Sequence, residues 1–69
     1  MDRKQFAKDI TEGLETIIAY GKRPEKQKYI VNLIDSLIEK YPDMQPETYR
    51  ELLDFKYNAE MKIEEKGGG

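Results

Sequence analysis

The stretch IVNLIDSLIEKYP, residues 30–42, decides how the rest of the chain is read. Ile30, Leu33, Ile34, Leu37, Ile38 and Tyr41 recur at intervals of three and four, the spacing that gathers side chains on one face of an α-helix. Val31 widens this stripe, and Asn32, Asp35, Ser36 and Glu39 fall outside it. Pro42 disfavours helical backbone at the residue before it, so the helix should stop near Lys40. Upstream, Pro24 suits a first turn, where its missing N–H leaves no bond unmade. Glu25 adds a negative charge near the positive end of the helix dipole. The pattern predicts a helix over 24–40.

The same periodicity continues on both sides. Phe6, Ile10, Leu14, Ile17 and Ile18 form an earlier stripe, with Gly13 beside it and Lys8, Glu12 and Glu15 opposite. Asp2 is placed to cap its start, and Gly21 to end it in a left-handed conformation. Gly13 lowers helix propensity by about 1 kcal/mol relative to Ala, a cost that close approach of a neighbouring helix can offset. This helix is predicted over 3–20. A third begins at QPETYRELLDF, with Pro46 and Glu47 in its first turn, and is predicted over 46–65. The GGG at 67–69 has nothing apolar to pack and is expected to form a disordered tail. Connections this short join antiparallel neighbours. The expected fold is all-α: an up-down-up three-helix bundle forming a single domain over 1–66.

The third helix differs from the other two. Leu52, Phe55, Ala59 and Ile63 line one ridge, while Tyr49, Leu53, Tyr57 and Met61 line a second. Lys56 and Glu60 lie between them, an i, i+4 pair worth about 0.2–0.5 kcal/mol. Together the ridges exceed the roughly 100° stripe that a bundle helix needs. Either both ridges pack inside, with the stems of Lys56 and Glu60 reaching outward, or one ridge is left for a second chain. The Tyr-Leu-Tyr-Met ridge suits the latter role, because interfaces are enriched in Tyr and Met. Arg50 and Lys56 would then be rim charges that set orientation more than affinity.

Size points the same way. A chain of 69 residues buries only about 60% of its unfolded surface. A core this small rarely supplies more than about 3–5 kcal/mol without a staple. With no Cys and no His, disulfides are excluded and the commonest metal ligand and general base are missing. Association with another chain is the staple that remains. No apolar run approaches the roughly 18 residues of a membrane span, and MDRKQF lacks the apolar centre of a secretory signal. A cytoplasmic location is expected.

The search for chemistry finds little. Ser36 is the only serine and has no His to activate it. The carboxylate pairs Glu12/Glu15, Glu47/Glu51 and Glu60/Glu64 face outward by the pattern. Asp43 and Glu47 lack the ligand series and central Gly of a calcium loop. The expectation is a non-enzymatic protein with no cofactor, no metal and no small-molecule substrate.

One segment argues for a different partner. YGKRPEKQKY, residues 20–29, places Lys22, Arg23, Lys26 and Lys28 around a helix N-terminus, where free N–H groups attract anions. Tyr20 or Tyr29 could stack on an unpaired base, and an exposed Gln27, Lys28 and Asn32 could enter a groove. Arg3 and Lys4 would add to the patch. Against this, Glu25 interrupts the bend, and specific phosphate binding often uses about six to ten contacts. The chain as a whole carries 12 basic and 14 acidic side chains, for a net charge of −2, and a nucleic-acid binder usually shows a basic excess. The function expected from sequence is a protein–protein interaction module: a small regulator, inhibitor or adaptor, alone or as a homodimer through the third helix. The alternative is a nucleic-acid-associated protein using the basic bend.

Overall fold

The computed structural model describes the backbone of residues 2–68 and the side chains of residues 2–64. Helix α1 spans Arg3–Tyr20, a 3-10 turn covers Pro24–Lys26, α2 spans Gln27–Lys40 and α3 spans Pro46–Gly68. They form an all-α three-helix bundle running up, down and up, with principal extents of 43 × 20 × 16 Å.

The segment with the cleanest pattern is the central one. Ile30, Ile34 and Leu37 of α2 are buried against Ile17 of α1 and Leu52 and Ala59 of α3. Each fully buried aliphatic side chain of this kind stabilises the fold by about 1.5–3 kcal/mol. Both outer helices lie against α2 and approach one another far less. Tyr41 and Met44 close the lower end of the core from the α2–α3 connection. Met44 lies outside all three helices, and the helical pattern had no place for it.

Asp2 caps α1 as its position implied: its carboxylate accepts from the backbone N–H of Lys4 at 3.0 Å and of Gln5 at 3.3 Å. Gly13 is buried where α1 crosses α2, and a Cβ there would lie 2.8 Å from Leu37 Cδ1. That is the close approach its lost helix propensity called for.

Several expectations are corrected. Gly21 is right-handed, with φ −60° and ψ −24°. The chain is turned instead by the Arg23 N–H donating to the Tyr20 carbonyl at 3.0 Å. Glycine serves there through its small size, since a Cβ would fall 2.9 Å from the Ile17 carbonyl oxygen. Ile18, assigned to the apolar stripe, is 76% exposed, because α1 is covered mainly by one neighbour and its stripe is wider than that neighbour.

The helix expected from Pro24 starts in two steps. Residues 24–26 take the tighter 3-10 form, and α2 proper begins at Gln27. Gln27 is not exposed: it is buried, and its Nε2 donates to the carbonyls of Arg23 at 2.8 Å, Gly21 at 3.1 Å and Tyr20 at 3.4 Å. At its far end α3 continues to Gly68, past the expected stop near 65 and into the expected disordered tail. No proline interrupts it, and glycine weakens a helix without blocking its backbone hydrogen bonds. Gly69, the remaining tail residue, lies outside the described residues.

Candidate functional site

The two ridges of α3 have separate fates. Leu52 and Ala59 are buried and Phe55 is half-buried against the core. On the other side Tyr49, Tyr57 and Met61 are 42%, 56% and 59% exposed, Leu53 is half-buried and Arg50 is exposed. The inner ridge loses its cover at Ile63, since Lys62 already reaches the bend and donates to the Gly21 carbonyl at 2.7 Å. The periodicity of α3 gave both ridges but not which one faced α2.

The outer ridge is shallow. Tyr57, Glu60, Met61, Ile63 and Glu64 border an open hollow of about 490 Å³, and Tyr49, Arg50 and Leu53 border another of about 360 Å³. Every described residue lining them belongs to α3, so among the described residues neither hollow has an opposing wall. Small-molecule sites bury most of their ligand within a cleft.

Lys56 does not lie among the outward residues as a simple rim charge. Its Nζ is 2.8 Å from Asp35 of α2 and 4.0 Å from Glu60. The hydrogen bond to Asp35 raises the Lys56 pKa above its usual 10.5. The side chain therefore braces α3 against α2 at the edge of the ridge.

The basic bend places part of its charge over its own tyrosine rings. The Lys26 ammonium lies 5.3 Å from the centre of the Tyr20 ring and 5.8 Å from that of Tyr29, and the Arg23 guanidinium is 5.8 Å from Tyr20. The two tyrosine rings meet edge to face at 6.4 Å. Contacts of this type are worth about 0.5–1 kcal/mol at exposed sites. Lys22, Arg23 and Lys28 are exposed, and Lys26 is half-buried. Arg3 and Lys4 open the 18-residue α1, which sets them roughly 27 Å of helix from the bend. The structure does not bring those six basic residues together.

A third cluster joins α1 to the end of α2. Asp9 on α1 accepts from the Tyr41 hydroxyl and from Lys40 Nζ at 3.0 Å through one oxygen, and from Gln5 Nε2 at 2.9 Å through the other. Phe6 packs edge to face on Tyr41 at 4.9 Å. The hydrogen bonds from Tyr41 and then Lys40 hold the Asp9 carboxyl down to about 2 from its usual 3.8. The same hydrogen bonds push the Tyr41 hydroxyl and the Lys40 ammonium up. Asp9 and Tyr41 are 32 residues apart, and nothing in their local sequence marks them as partners. The cluster fastens α1 to the end of α2.

Among the described residues, no three acidic side chains gather as a metal site would need, and no helix is long and apolar enough to cross a membrane. Comparison with protein-family models, with curated proteins and with solved structures finds no match to this chain.

Proposed function

We propose that this chain is a non-enzymatic protein-interaction module, a small regulator, inhibitor or adaptor that works by laying the outer face of α3 against a second protein chain. The observation that carries this reading is the exposure of Tyr49, Tyr57 and Met61 on one side of a helix whose other side already fills the core. Side chains of this kind combine large apolar contact area with a polar or polarisable tip, which suits a surface that is wet when free and covered when bound. Arg50 lies on the same face and supplies a charge to fix orientation.

The nucleic-acid alternative has less support, because Gln27 is buried as a backbone clip and Arg23 and Lys26 already lie over tyrosine rings.

A photo-crosslinking amino acid at position 57 tests the proposal in cells that express the chain. The expected result is a discrete covalent adduct with another polypeptide, absent when the same group replaces Glu15 on the exposed side of α1. Equal or absent adduct formation from both positions would overturn it.

A further inference from the structure

The outer face of α3 has a symmetry of its own. Leu53 and Met61 each lie four residues from Tyr57, and Arg50 and Glu64 each lie seven from it on opposite sides. Intervals of four and seven keep all five on one helical face. Arg50 and Glu64 are both exposed, and neither joins an ion pair among the described residues. Lys56, by contrast, is already held by Asp35.

Resting on the contact face assigned above, we propose that its occupant is a second copy of this chain, with the two α3 helices antiparallel about a two-fold axis through Tyr57. In that arrangement Tyr57 meets Tyr57 of the other copy, Leu53 meets Met61, and Arg50 meets Glu64, each contact occurring twice. An isologous interface needs this self-complementarity, in which residue i meets j and j meets i. Parallel pairing sets Arg50 against Arg50 and Glu64 against Glu64, and like charges in register repel. Antiparallel pairing also opposes the two helix dipoles. The occupied area is that of one helix face, in the weak class below about 1,200 Å². The dimer therefore exchanges readily with monomer and fills with concentration.

The chain has no cysteine, so single cysteines report without background. Under mild oxidation Y57C should form a disulfide dimer, and L53C mixed with M61C should form the mixed dimer, while L53C alone and M61C alone stay monomeric. All three sites lie outside the buried core, and unchanged helical circular dichroism confirms that each variant folds. In sedimentation equilibrium extended to millimolar concentration, R50E should weaken self-association at least tenfold, and adding E64R to R50E should restore it. Disulfide dimers from L53C alone and M61C alone would overturn the antiparallel order. A wild-type chain that stays monomeric at millimolar concentration, with Y57C uncrosslinked, would overturn self-pairing. The contact-face reading would then stand or fall separately, on whether position 57 crosslinks to a different polypeptide.

Discussion

Asp9 shows how much a single side chain does in a protein with so small a core. It collects three side-chain donors, one from its own helix and two from the end of α2. Its carboxyl titrates near 2 when folded and near 3.8 when not. The unfolded chain therefore takes up the proton first as pH falls. The stability Asp9 contributes is fully present above about 3.8 and is lost as pH drops toward 2. Urea unfolding of the wild type and of D9N should differ most above pH 4 and converge toward pH 2. A difference that stays constant across that window would show that Asp9 is not held as described. Gln27 teaches a related lesson at the same scale. From the sequence its amide reads as an exposed donor that could enter a groove, whereas it is buried. Its role depends on three carbonyls that α1 and the turn present together, and no local pattern encodes that meeting.

The elements themselves were largely written in the spacing of apolar residues. The end of α2 and the start of α3 fall where Pro42 and Pro46 put them, and the Asp2 cap is a local interaction that local sequence can announce. What spacing cannot state is how many neighbours a helix has. Ile18 lies on the flank of a stripe that one partner covers only in part, and the outer ridge of α3 is a stripe left largely uncovered by the described residues. Only the placement of α2 separates those two cases from a filled core. Gly13 was readable because its cost demanded a reason, and the 2.8 Å approach to Leu37 supplies it. Two opposing effects meet at that residue. Ala regains about 1 kcal/mol of helix propensity but pushes on the end of a flexible leucine. G13A should therefore change stability by less than about 1 kcal/mol. G13V adds branched methyls that Leu37 cannot clear, and overpacking of this kind costs about 1–3 kcal/mol. Chemical denaturation of both variants checks the pair, and equal stability for the two would refute the close crossing.

For the molecule as a whole, α2 is the keel and the outer helices are unequal passengers. α3 lies along much of it, while α1 meets it less extensively: it sinks Gly13 and Ile17, rests Phe6, Ile10, Leu14 and Tyr20 half-buried on the core, and is tied by Asp9 and Phe6 to Tyr41. Local opening free energies follow buried apolar contact, so such a segment lets go before the rest. On this footing Arg3–Tyr20 should behave as a detachable arm. Native-state hydrogen exchange should find the slowest α1 amides at least about tenfold less protected than the slowest amides of α2 around Ile34. Uniform protection would mean that the arm never lifts by itself. A chain built this way has an internal order of release: the arm parts first and uncovers Leu37, while the tyrosine-bearing side of the last helix keeps its shape on a still-folded pair.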